Sequence, residues 1–170
     1  MITSNVTLLA VALLTVGCRE APSSDAKPSE GNDLVGAWRA KIHFTSGAFA
    51  TIGDLEFMYV FNEGGTMTES SNYDAVPPVP PAYGVWRRTA PDQFEAKYTF
   101  YVTKPPAGFD DIAKGGGWLP AGYGVFVETI TLAKDGKSFK SKMKYDAFDP
   151  GGKPVEGGGE AYVEGAWMGF

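Results

Sequence analysis

From Trp38 onward the chain is apolar at every second residue through one segment after another, and no window offers a convincing amphipathic helix. A two-residue period sends successive side chains to opposite faces of an extended backbone, so it demands strands with one buried face. In "WRAKIHF", Trp38, Ala40, Ile42 and Phe44 alternate with Arg39, Lys41 and His43. Phe57, Tyr59 and Phe61 share a face in "LEFMYVF", and Phe94, Ala96, Tyr98, Phe100 and Val102 share one in "QFEAKYTFYV". The breaks are turn formers: Asn62-Glu63-Gly64-Gly65, Ala90-Pro91-Asp92, Lys134-Asp135-Gly136-Lys137 and Asp149-Pro150-Gly151-Gly152. Read this way, the sequence holds about eight strands with mostly short connections. "FDDIAK" is the segment suited to a short helical turn.

An antiparallel meander removes its unpaired edges by closing into a barrel or by stacking as two sheets. The expected fold is therefore all-β, an eight-stranded antiparallel up-and-down β-barrel over residues 34–170, with a two-sheet β-sandwich as the alternative. About eight strands enclose an interior that side chains fill or that holds one small ligand. The inward sets are rich in aromatic residues, so a narrow cavity is expected.

Residues 1–17 carry no charge, and the apolar stretch from Val6 to Val16 is too short to span a bilayer but fits the core of an export signal. It ends at Gly17-Cys18, which resembles the lipobox of bacterial lipoproteins, although Thr15 stands where leucine is usual. The resemblance implies a signal peptide over 1–17, lipidation of Cys18, and an exported protein held to a membrane of the bacterial cell envelope by its lipid. The alternative is a secreted or periplasmic protein with a free thiol. Residues 18–33, "CREAPSSDAKPSEGND", are proline, serine and charge with little to bury, and read as a flexible linker.

Several chemistries find little footing. A net charge of −5 argues against nucleic acid as a partner. Cys18 is the single cysteine and His43 the single histidine, the latter on a polar face, so neither a disulfide nor a metal site nor an acyl-transfer triad is expected. No cofactor is called for. The oligomeric state is not legible.

Gly36-Ala37-Trp38 opens the first strand, and Gly165-Ala166-Trp167 ends the last, with Gly84-Val85-Trp86 between them. A Gly-x-Trp at the start of the first strand of such a meander resembles the lipocalin and calycin barrels. The outline is also similar to the barrel of allene oxide cyclases. These resemblances imply a closed barrel with a small ligand or substrate inside. The lipocalins' Thr-Asp-Tyr-like motif and terminal arginine are not evident, and Met168-Gly169-Phe170 ends the chain instead. In a closed barrel the first and last strands are neighbours, so Trp38 and Trp167 are expected as inward closure residues, and Trp86 as the tryptophan belonging to a site.

Alternation also carries charge inward. Glu128 accompanies Phe126, Ile130 and Leu132; Glu69 accompanies Met67; Arg88 accompanies Trp86. A buried carboxylate needs a partner or shifts its pKa and becomes neutral, and Glu128 and Arg88 are expected to pair across the lumen. The expected binding residues are Trp86, Arg88, Glu128, Tyr98 and Phe57, around a small, mostly apolar ligand. As an enzyme, the less favoured reading, the chain would be a metal-free isomerase or cyclase using Glu69 or Glu128 as general acid or base. The bland reading of such charges is a buried plug that fixes strand register. A third class is an envelope interaction module with a packed core. Two long loops, "NYDAVPPVPPAYG" and "KPPAGFDDIAKGGGWLPAGYG", carry Tyr73, Tyr83, Phe109, Trp118 and Tyr123, and serve either as a lid over the mouth or as stiffened surface.

Overall fold

Eight strands pair in chain order, each antiparallel to the next, and the last returns to the first. They are β1 (Gly36–Phe44), β2 (Glu56–Phe61), β3 (Thr66–Ser71), β4 (Ala82–Ala90), β5 (Gln93–Lys104), β6 (Leu119–Leu132), β7 (Ser138–Phe148) and β8 (Pro154–Trp167). One short helix, α1 (Phe109–Ala113), interrupts the β5–β6 connection. This computed structural model describes residues 33–75, 78–113 and 117–169, with Ile112 through its backbone alone. The expected signal segment, Cys18 and nearly all of the linker lie outside the described residues.

The closed sheet follows from the alternation. The burial of β1 alternates residue by residue from Trp38, which is fully buried, through Ala40, Ile42 and Phe44, while Arg39, Lys41 and His43 face solvent. The same alternation in β6 and β7 places Phe126, Glu128, Ile130 and Leu132 opposite Tyr145, Met143, Ser141 and Phe139 inside the barrel. Closure comes from β1 pairing with β8, in register from Trp38↔Trp167 to Phe44↔Ala161. The fold is thus a barrel, and no second sheet is needed to cover an edge.

The two ends of the barrel differ. At one end the connections are the tight turns 62–65, 91–92 and 133–137, and the described chain enters there through fully buried Leu34. At the other end lie the longer connections 45–55, 72–81 and 105–118, with 149–153 beside them. All three Gly-x-Trp segments belong to the tight-turn end, and their glycines have one physical reason in common. A Cβ on Gly84 would stand 2.2 Å from the Lys97 carbonyl oxygen and 2.5 Å from Tyr98 Cβ; on Gly165, 2.2 Å from the Phe139 ring; on Gly36, 3.0 Å from Trp167 Nε1. Each glycine makes room for a neighbouring strand or ring.

The tryptophans themselves diverge. Trp38 is the closure residue: its indole packs edge-on to Phe139 at 5.2 Å, and its Nε1 donates to the Leu34 carbonyl at 2.9 Å. Trp167 does not seal the core. It is 48% exposed at the rim, its Nε1 beside Gly36 and its backbone amide donating to the Lys137 carbonyl in the 133–137 turn. Trp86 is partly buried, donates to the carbonyls of Asn62 and Thr66 at 3.1 Å each, and packs against Phe61 and Phe94.

Candidate functional site

Halfway along the barrel the lumen is bridged by polar groups from four strands. Glu128 on β6 is fully buried. Ser141 on β7 donates to its Oε1, and Tyr98 on β5 donates to its Oε2 at 3.0 Å. Tyr59 on β2 reaches Oε2 at 3.4 Å and the Tyr98 hydroxyl at 3.3 Å. Burial pushes the Glu128 carboxyl up to about 7, and the three hydroxyl bonds act against that rise. Burial and the nearby Glu128 carboxylate hold both tyrosines well above their usual range. This layer is a hydrogen-bonded plug, and below it the interior is solid, filled by Trp38, Phe61, Met67, Phe94, Ile130, Leu132 and Phe139.

Above the plug the packing opens. A cavity of about 200 Å³ lies between the plug and the long loops. Its walls are mainly rings: Phe57 from β2, Phe100 from β5, Phe126 from β6, Tyr145 from β7 and Phe49 from the 45–55 loop. These form a continuous cluster, with Phe57–Phe126 at 5.6 Å, Phe100–Phe126 at 5.4 Å, Phe126–Tyr145 at 5.0 Å and Phe49–Tyr145 at 5.3 Å. Ile52 and Leu55, with Tyr73, Val79 and Pro80, complete the mouth.

Two carboxyls face this apolar space. Glu69 on β3 lines it at 5% exposure, and its Oε1 is buried with no hydrogen-bond partner among the described residues. Burial, then the charges of Asp74 and Glu128, hold Glu69 well above the usual carboxylate range and favour its protonated form. Asp74, in the 72–81 loop, lines the mouth and accepts the Ser71 amide at 2.6 Å. Its own pKa is raised by burial, with the Ser71 bond opposing. Among the described residues, no lysine, arginine or histidine lines the cavity.

The residues expected from sequence separate into three places. Phe57 and Glu69 line the cavity; Tyr98 and Glu128 lie in the plug beneath it; Trp86 and Arg88 sit at the opposite end. Glu128 and Arg88 do not pair. Arg88 lies 3.4 Å from Asp33, donates to the Pro91 carbonyl, and stacks its guanidinium 4.5 Å from the Phe94 ring centre. Alternation gave its face correctly in parity, but at a barrel's end an inward position opens to water. Residues the sequence did not single out are Ser141, Asp74, Phe49, Ile52, Val79 and Pro80. Ser141 had a signal, since it falls on the inward parity of β7 between Phe139 and Met143. Phe49 and Ile52 had a weaker one: with Leu55 they are the large apolar residues of a loop otherwise small and polar. Of the loop aromatics, Tyr73 borders the mouth, Tyr123 stacks on Phe148 at 5.0 Å, and Tyr83, Phe109 and Trp118 are exposed.

Among the described residues, no group of three or more His, Cys, Asp and Glu side chains is placed to hold a metal ion, and no helix is long and apolar enough to cross a membrane. Compared with protein-family models, with curated proteins and with solved structures, the chain matches none.

Proposed function

We propose that this barrel is a binding protein that takes a small, mostly apolar molecule into its open half. The observation that carries the reading is the ring-lined cavity with one buried, unpartnered carboxyl oxygen, Glu69 Oε1, on its wall. A buried polar atom without a partner costs about 1–3 kcal/mol, and a ligand group that bonds it recovers that cost on binding. A cavity of about 200 Å³ accepts one ring with a short tail, since about 150 Å³ of apolar space already admits benzene. The connectivity is that of lipocalin-like barrels, which supports the same reading at the level of shape alone. A wholly packed interaction module is disfavoured by the cavity.

The test is native mass spectrometry of the purified chain for a carried-over small molecule, together with calorimetric titration of 2-phenylethanol. Val102→Trp, on the wall near the mouth, is expected to abolish binding while leaving the melting temperature within a few degrees. Titration of the unsubstituted chain without heat, and no co-purified mass, would sink the proposal.

Proton-transfer catalysis is the second reading, favoured by one observation: Glu69 lines the cavity with its Oε1 buried and unpartnered among the described residues, and burial raises its pKa well above the usual carboxylate range. It predicts turnover of an isomerisable substrate that is lost in Glu69→Gln without loss of binding.

We read the Cys18 segment as a lipid-anchor site in the cell envelope. The described chain enters β1 at the tight-turn end, opposite the cavity mouth. Cys18→Ala is expected to move the protein from the membrane fraction to the soluble fraction of cells; unchanged membrane partition would overturn the anchor.

A further inference from the structure

The chemistry of the cavity wall narrows the ligand class, and this step rests on the binding reading above. We propose that the ligand is an organic cation, an aryl- or alkylammonium whose apolar body lies among the rings and whose charged nitrogen reaches Glu69. The polar side of the pocket is built almost wholly from acceptors and acids. Glu69 Oε1 is buried and lacks a donor, and Asp74 Oδ2 already accepts one backbone N–H at the mouth. No basic side chain lines the space among the described residues, so an anionic head group would meet carboxyls and nothing to neutralise it. A cation meets the reverse: carboxyl oxygens at one side and the faces of Phe57, Phe100, Phe126 and Tyr145 around it. Ring faces attract cations through their quadrupole, most strongly where water is excluded.

The titratable groups around Glu69 all favour positive charge. Tyr59 on β2 faces it in register, Asp74 and Tyr73 stand on the loop above, and Glu128 on β6, Tyr98 on β5 and Tyr145 on β7 complete the surround. Burial, and after it the field of Asp74 and Glu128, favours the protonated form of Glu69. A bound ammonium occupies the same field, so it displaces that proton. The ligand enters as R–NH3+, the Glu69 O–H bond breaks heterolytically, the proton leaves to solvent, and the carboxylate pairs with the ammonium. Binding is therefore coupled to proton release.

The experiment titrates the full chain by calorimetry with 2-phenylethylammonium, 2-phenylethanol and phenylacetate, near pH 7 in two buffers of different ionisation enthalpy. The ammonium is expected to bind at least about tenfold more tightly than the alcohol, the ratio one charge-assisted hydrogen bond supplies. Phenylacetate is expected to bind most weakly. The buffer dependence should report net proton release on binding of the ammonium and none on binding of the alcohol. Glu69→Gln should remove the ammonium preference and the proton release while sparing the alcohol. Asp74→Asn, at the half-exposed mouth, gives a second reading should the buried variant fail to fold, with ammonium affinity reduced and alcohol affinity kept. Alcohol binding equal to or tighter than ammonium binding, abolished by Val102→Trp, would leave the binding function standing and overturn the cation. If none of the three probes binds and no small molecule is carried over in native mass spectrometry, the cavity is not a binding site and both proposals fall.

Discussion

Glu128 is a single carboxyl whose surroundings give the whole barrel a pH dependence. Its folded pKa is raised from 4.5 to about 7, mainly by burial. Between those two values the folded chain holds a proton that the unfolded chain has released, so stability falls as pH rises through that window. The rise from 4.5 to about 7 corresponds to a loss of about 3 kcal/mol at most, at about 1.4 kcal/mol for each pH unit. Glu69, raised in the same direction, adds to the effect. Urea denaturation is expected to give a higher midpoint at pH 5 than at pH 8. Glu128→Gln should flatten that slope and stabilise the chain at pH 8, because an amide still accepts from Ser141 and can donate to the tyrosine hydroxyls. A variant with the same slope as the parent would show that Glu128 is not the titrating group.

At the scale of the strand, the Gly-x-Trp segments separate two kinds of tryptophan. Trp38→Ala removes a fully buried indole, its bond to Leu34 and its contact with Phe139, and is expected to cost about 3–5 kcal/mol. Trp167→Ala, at a half-exposed rim position, is expected to cost about 1 kcal/mol or less. Gly84→Ala would drive a Cβ against the β5 backbone and is expected to cost on the order of 1–3 kcal/mol. Urea unfolding of the three variants checks the ranking; equal losses at Trp38 and Trp167 would contradict the assigned roles. These strands also show what was readable beforehand. A period of two specifies which face a residue occupies, and so the barrel, its inward aromatic sets and the inward Glu69 and Glu128 were legible. The period says nothing of depth. Arg88 and Trp167 have inward parity but lie where the lumen meets water, which is why neither takes the buried role expected of it. Loops have no period at all, so the "NYDAVPPVPPAYG" loop could be expected over the mouth, but not which of its residues, Asp74, Val79 and Pro80 among them, would line the cavity.

Across the whole molecule, stability and binding occupy opposite halves. The tight-turn half is packed solid, the polar plug divides the lumen, and the cavity lies under the long loops. Changes at the open end are expected to alter affinity more than stability, and changes at the tight-turn end the reverse. Val102→Trp and Trp38→Ala are the matched pair: the first should lose ligand heat with a small shift in melting temperature, the second should lower the melting temperature sharply. Equal effects of the two on both measurements would show that the halves are not separable.

The pairing of β1 with β8 has a kinetic side. Trp38 meets Trp167 across nearly the entire barrel sequence, whereas every other strand meets its neighbour through a hairpin. Hairpins form locally and fast, while a contact between chain ends waits for the intervening loop to be closed. Closure is then the late event of folding, and until it occurs two open strand edges remain available to pair with other chains. Refolding should be slow beside that of helical proteins of this size, and its competing reaction should be aggregation whose share grows with protein concentration. The first and last strands must therefore stay apart from those of sister molecules until each barrel has found its own seam.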